Sequence, residues 1–384
     1  MFKALGFDYH YLEQGNDLET LIALFQEVKD ADHPVLLHIH TQKGHGIPFM
    51  EENREAFHAG GPYDAQTGQY LGSNAGASYN SVAADLLLEK MAKDPTVIVV
   101  NAGTPMFLFN QEQRKQAGKQ FVDVDIAEEQ ATTMSTGLAK NGVKPVWSVA
   151  STFMKRTYDQ WSHDIALNNQ PVTVLVHSAS VNAMNDESHL GFFDIPFLSH
   201  IPNVVYLAPT NKEEKLAMLD WAIEQKDHPV AIRVPVGPLK ETGIPDTTDY
   251  SQLNKNQVLQ KGSEVALFGL GNFFSLAEAV AKELQEKYNI TATLVNPKFI
   301  TGLDTELLDS LKANHKLVVT FEDGLLEGGY GQTIASYLGD SNLKVKNYGI
   351  DKAFHDRYDH QELMAQNGLT VGNIVTNIFK IIHK

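Results

Sequence analysis

Two short stretches hold residue types that could do chemistry together. Residues 121–130 (Phe-Val-Asp-Val-Asp-Ile-Ala-Glu-Glu-Gln) put the carboxylate of Glu128 where an apolar segment meets the start of a helix. Taken alone, a carboxylate there complements the helix macrodipole, and no chemistry is needed to explain it. Residues 151–160 (Ser-Thr-Phe-Met-Lys-Arg-Thr-Tyr-Asp-Gln) follow a strand at 145–149, and His163-Asp164-Ile165-Ala166-Leu167 continue the same helix. Parallel sheets bind ligands at the carboxyl ends of their strands. Phe153, placed at such an end, offers an aromatic face.

The elements that must position these residues read as alternating helices and strands. Helices are predicted at 82–91, 128–140 and 153–167, and strands at 96–100, 145–149, 172–176 and 230–233. That alternation makes a doubly wound α/β domain with a parallel sheet. A smaller α/β unit follows the polar stretch 240–261, with strands at 264–269, 291–295 and 316–321 and a helix at 276–287. Gly269-Leu270-Gly271 lacks the third glycine of a dinucleotide fingerprint, so no nucleotide site is expected there.

The first segment is harder to place. Asn16-Asp17-Leu18-Glu19 can cap a helix, with Glu19 reaching back, and Leu18, Leu21, Ile22, Phe25 and Val28 form an apolar stripe. Residues 35–40 (Val-Leu-Leu-His-Ile-His) read as a covered parallel strand, yet no neighbouring strand is legible upstream. The segment therefore reads as the tail of a domain whose body lies elsewhere; the alternative is a strand added to the edge of the next sheet. Residues 41–77 show no periodicity and read mainly as a linker.

Bulk properties narrow the function classes. The formal net charge of −16 argues against a nucleic-acid or anionic-membrane partner. With no cysteine, disulfides, thiolate nucleophiles and Cys-ligated metals are excluded. The first residues lack the pattern of a signal peptide, and no apolar run approaches the ~18 residues of a membrane span, so the simplest expectation is cytoplasmic.

The motifs together resemble the 1-deoxy-D-xylulose-5-phosphate synthases of the transketolase superfamily. They are Asp-Ile-Ala-Glu at 125–128, Ser-Thr-Phe-x-x-Arg-x-Tyr-Asp-Gln-x-x-His-Asp-x-Ala-Leu at 151–167 and Ser-His-x-Gly-x-Phe-Asp at 188–194. Phe-His-Ala-Gly-Gly-Pro-Tyr-Asp at 57–64 and Thr-Gln-Lys-Gly-His-Gly at 41–46 match in the same order, so the resemblance runs along the whole chain. It implies a remnant of a diphosphate-binding domain at 1–48, a linker at 49–77, a pyrimidine-binding domain at 78–240 and a transketolase C-terminal domain at 260–384. It implies thiamine diphosphate as cofactor, with Glu128 on the aminopyrimidine, Phe153 stacked against it and Lys43 near the diphosphate. His58 and His189 would handle protons at the reacting carbonyl. Arg156, Asn185 and Ser178 fall at substrate-binding positions. The implied reaction, a step of isoprenoid biosynthesis, joins pyruvate to an aldehyde such as glyceraldehyde 3-phosphate with loss of CO₂.

Departures from the family pattern are part of the reading. The Gly-Asp-Gly that holds Mg²⁺ is absent, so no metal ligand is expected in this chain, and Mg²⁺ would be held by a missing N-terminal domain. The chain would then be a fragment, or would work with a separate N-terminal chain. Family arginines for the acceptor phosphate are Ser178 and Val236 here; Ala150, Asn185 and Gln130 replace a tyrosine, an acid and a histidine. Lost charge-assisted contacts would weaken a phosphorylated acceptor. A homodimer is expected. The alternatives are a β-type subunit of a split transketolase or 2-oxoacid dehydrogenase, and a non-catalytic dimeric paralogue.

Overall fold

The computed structural model describes residues 1–58, 61–72 and 76–384. It forms two compact units, Met1–Gly76 and Ala77–Lys384.

In the first unit, strands β1 (Asp8–Leu12) and β2 (Val35–Ile39) pair in parallel, with Asp8 opposite Val35 and Leu12 opposite Ile39. The Leu18–Val28 helix links them. This corrects the expectation that β2 has no upstream neighbour. Asp-Tyr-His-Tyr-Leu carries too few aliphatic residues to read as a strand, but its tyrosines suit a pleated surface. Nor does β2 extend the following sheet, because β1 and β2 form a sheet of their own. The cap is Asp17, whose carboxylate accepts from the Thr20 N–H at 2.9 Å; Glu19 does not close the box. The expected apolar stripe splits: Leu21 and Val28 are half-buried, whereas Leu18, Ile22 and Phe25 are exposed. The 41–77 stretch is not wholly irregular, since Pro48–Glu52 is helical and Tyr63 bridges to Tyr70. Its residues 59, 60 and 73–75 lie outside the described ones.

The second unit holds two sheets among the described residues. The larger comprises β3 (Val97–Asn101), β4 (Phe121–Asp123), β5 (Lys144–Ala150), β6 (Thr173–His177), β7 (Val205–Leu207) and β8 (Val230–Arg233). These strands are all parallel, in the order β4-β3-β5-β6-β8-β7. The expected doubly wound architecture is therefore present. Near-continuous apolar strands such as Thr-Val-Leu-Val-His are buried on both faces, as a covered parallel sheet requires. The Glu128–Lys140 helix has its expected bounds.

The expected single helix at 153–167 is instead broken. Ser151–Met154 makes one α-turn, Lys155–Thr157 a 3₁₀ turn, Tyr158–Gln160 another α-turn, and Trp161–Ala166 a π-turn. The Thr157 hydroxyl donates to Met154 O at 2.7 Å, a local bond that competes with the regular ladder. Trp161, which opens the π-turn, is fully buried. Such irregular turns concentrate at functional sites.

The smaller sheet comprises β9 (Gln257–Gln260), β10 (Glu264–Gly269), β11 (Thr293–Asn296), β12 (His315–Leu325) and β13 (Lys344–Ile350), in the order β13-β12-β10-β11-β9. Strand β9 runs antiparallel to β11, so this sheet is mixed. A Cβ on Gly269 would stand 2.6 Å from the Phe274 Cα, so this glycine serves close strand–helix packing.

A buried ion cluster joins the two sheets. Arg233, at the end of β8, reaches Asp194 with Nε at 2.7 Å and Nη2 at 3.2 Å, and its Nη1 pairs with Asp323 on β12. The Tyr206 hydroxyl also donates to Asp194, and Asn272 Nδ2 donates to Asp323 Oδ2 at 2.9 Å. Both carboxylates have no exposed side-chain surface. Replacing Arg233 by Met would leave them buried without a cation. The expected loss is about 3–5 kcal/mol of unfolding free energy, read from urea denaturation; a change below about 1 kcal/mol would contradict this role for the cluster.

Candidate active site

The carboxyl ends of β3 and β4 build the first part of the site. Asp123, closing β4, accepts from Asn101 Nδ2 at 2.9 Å and from the N–H groups of Gly103 (2.9 Å) and Asp125 (3.0 Å). Asp125 turns through a left-handed backbone, φ 57°, which Asp tolerates better than most residues. The turn delivers Glu128 as the first residue of its helix, with 2% of its surface exposed. There the carboxylate meets the Arg156 guanidinium, Nη1 to Oε2 at 3.2 Å. Glu128 Oε1 accepts no hydrogen bond among the described residues. Arg156 is half-exposed, so solvent screens the pair on one side.

The end of β5 builds the second part. The strand runs directly into the Ser151–Met154 turn, and half-buried Phe153 packs on the core that includes Met154, Trp147 and Trp161. The His189 imidazole meets Phe153 edge-on, with centroids 5.7 Å apart and planes at 82°. His189 Nδ1 lies 2.8 Å from both Asp186 Oδ1 and Ser188 Oγ. Hydrogen bonds from Ser188 first and His189 second hold the Asp186 carboxyl below its usual range. The loop closes tightly: a Cβ on Gly191 would fall 1.8 Å from Ser178 O, so only glycine fits there.

The third part is a cleft of about 240 Å³ over the ends of β6 and β8. Ser178 and Val236 line it with Asn80, Phe107 and His177. His177 is buried, with Nδ1 3.2 Å from Asn80 Oδ1 and Nε2 3.0 Å from Ser148 Oγ; Phe107 stacks on its ring. Those partners fit a neutral imidazole that carries its proton on Nδ1. Burial, helped by the charge of Lys215, pushes His177 down to about 3. Burial also brings Lys215 down to about 7, with Nζ donating to Tyr79 O at 2.6 Å. No arginine or lysine lines this cleft.

The sequence-derived residues thus fall into groups. The structure brings Glu128 to Arg156, and Phe153 to His189. Ser178 sits in the cleft beside Val236, while nearby Arg233 is committed to its buried acids. The amide of Asn185 donates to Tyr358 O at 2.9 Å, so the protein itself already engages it. Lys43 and His58 meet within the first unit, where Lys43 Nζ donates to His58 O at 2.8 Å and lies 3.2 Å from His58 Nδ1. Among the described residues, no group of three His, Asp or Glu side chains is arranged to hold a metal ion. Sequence reading missed Asp186, His177, Lys215 and Tyr358. Asp186 was legible in principle, three residues before His189; the other three carry no local signal.

Comparison with known proteins shows the family of the chain. Residues 75–241 match the transketolase pyrimidine-binding domain and residues 254–374 the transketolase C-terminal domain. The chain is 34% identical over 387 residues to the 1-deoxy-D-xylulose-5-phosphate synthase of Syntrophotalea carbinolica, covering 100% of the chain and 61% of that protein. It is also 34% identical to that of Symbiobacterium thermophilum (96% and 56%) and 33% identical to synthase 1 of Geobacter sulfurreducens (97% and 59%). The chain therefore spans about 60% of the length of these relatives. A solved structure described as a split-gene transketolase, inactive beta4 tetramer, superposes with a TM-score of 0.69 at 23% identity, over 80% of this chain and 99% of that one, and shows the shared fold.

The buried imidazole gives a pH prediction. An unfolded chain protonates His177 near 6.5, whereas the folded chain resists until about 3. Folded stability from this residue is therefore present above pH 6.5 and lost as pH falls toward 3, by roughly 1.4 kcal/mol per pH unit. Melting temperatures across that range should fall more steeply for the native chain than for His177→Gln; parallel curves would refute the assignment.

Proposed function

The chain belongs to the transketolase family, and from that premise we propose that it forms the pyrimidine side of a thiamine-diphosphate site in a transferase like 1-deoxy-D-xylulose-5-phosphate synthase. The observation that carries this reading is the buried Glu128 carboxylate at a helix start, with Oε2 on Arg156 and Oε1 left without a partner. An unpaired acceptor on this largely buried side chain, beside an aromatic turn, fits an aminopyrimidine ring. Thiamine diphosphate, when bound, supplies a carbon nucleophile that can attack a ketone such as pyruvate. Glu128 hydrogen-bonds the pyrimidine and holds a proton there, Phe153 offers its face, and Arg156 neutralises the carboxylate. His189, oriented by Asp186, gives or takes a proton at the substrate oxygen.

The acceptor is an aldehyde without a phosphate. The cleft where Ser178 and Val236 stand offers hydroxyl, amide and neutral imidazole groups, which suit hydroxyls better than a dianion. Glyceraldehyde 3-phosphate would be used poorly.

Residues outside this chain, on a longer polypeptide or on a separate one, complete the site. This chain aligns to only 61% of the synthase of Syntrophotalea carbinolica, and Mg²⁺ on the diphosphate needs oxygen ligands that are not grouped among the described residues. The likeness to a split-gene transketolase favours a separate polypeptide. Exposed Ile126, Leu167 and Tyr158 suit pairing between two copies of this chain. Among the described residues no helix is long and apolar enough to cross a membrane.

Glu128→Gln is the direct test. With the diphosphate-binding chain, Mg²⁺ and thiamine diphosphate present, release of CO₂ from pyruvate should fall by at least about a hundredfold while the circular dichroism and melting temperature hold. Unchanged turnover would refute the role of Glu128. No turnover even with the native residue would favour a non-catalytic paralogue.

A further inference from the structure

The 178–193 loop, which carries Asn185 and His189, is held differently at its ends and in its middle. The ends are fixed within the larger-sheet domain: Gly191 packs on Ser178, the Ser151 hydroxyl donates to Gly191 O, and Thr152 Oγ1 donates to Ser188 O at 3.4 Å. The middle is held by a segment that follows β13. The Tyr358 hydroxyl donates to Val181 O at 2.9 Å and lies 3.4 Å from Met184 O. The Tyr358 carbonyl accepts from Asn185 Nδ2, and Asp356 Oδ1 accepts from the Glu187 N–H at 3.3 Å. Between these two anchors Arg357 has φ 46°, a left-handed backbone that a residue with a Cβ keeps only where its surroundings hold it. The turn lets both Asp356 and Tyr358 bond the same loop.

We propose that Tyr358 is a positioning residue: from the C-terminal domain it fastens the loop of the larger-sheet domain so that His189 stays edge-on to Phe153, where a substrate oxygen would be met. The part of this that concerns the substrate rests on the role given to His189 above; the fastening itself does not. Burial pushes the Tyr358 phenol up to about 12, so it remains a hydrogen-bond donor throughout the working pH range. Its ring also packs against His355 and His360, with centroids at 6.0 and 5.4 Å, so removing the hydroxyl alone leaves that packing in place.

Tyr358→Phe in the intact chain, followed by NMR, tests the proposal. Amides of residues 181–189 should exchange about tenfold faster while those of β5 and β12 keep their rates. The His189 ring-proton resonances should move toward free-imidazole positions as the Phe153 ring current is lost. Asp356→Ala, which removes the neighbouring anchor, should give the same pattern in weaker form. Unchanged exchange would overturn the fastening. Faster exchange with unmoved His189 resonances would leave Tyr358 a structural residue and overturn its positioning role. Failure of the enzymatic reading shows separately, as turnover that survives His189→Asn while the Tyr358 data stand.

Discussion

The buried Arg233 cluster is the constraint on which the second unit depends. A guanidinium at the end of β8 stands between Asp194 and Asp323, and each of the three would be costly alone in the interior. Asp194 opens the helix that closes the His189 loop, and Asp323 lies on β12 of the smaller sheet. One cation therefore fixes a strand end, a loop and a neighbouring domain in a single register. An apolar contact of the same size would tolerate sliding; a shared guanidinium with directed hydrogen bonds does not.

The site follows from that register. The Glu128–Arg156 pair and the Phe153–His189 contact stand on the ends of β4 and β5. The cleft of Ser178 and Val236 stands on the ends of β6 and β8. The first two groups are acidic, cationic and aromatic, and fit a charged heteroaromatic cofactor. The third has no lining arginine or lysine, and its imidazole is neutral. On the proposed reading, cofactor chemistry and acceptor choice fall to neighbouring strand ends.

Much of this was legible in the sequence, where chemistry coincided with periodicity. Largely apolar runs marked β3, β5, β6, β8 and β10, and Glu128 was singled out by the motif around it, since a carboxylate at a helix start alone only complements the macrodipole. The unread parts have physical reasons. Strand β1 is rich in Tyr and His, and β4 and β7 have only three residues each, too short for any period to show. The break at 151–166 coincides with a threonine hydroxyl bonded to the preceding turn and with a buried tryptophan, which no helical stripe reveals. Tyr358 and Lys215 act on partners more than 130 residues away, so nothing local announces them.

On the proposed reading, these residues form part of a cofactor site that residues outside this chain complete. Calorimetric titration of thiamine diphosphate with Mg²⁺ tests it most directly, first into this chain alone and then into its mixture with a diphosphate-binding chain. The account predicts no saturable heat from the chain alone and stoichiometric binding in the mixture. Tight stoichiometric binding by the chain alone would contradict it.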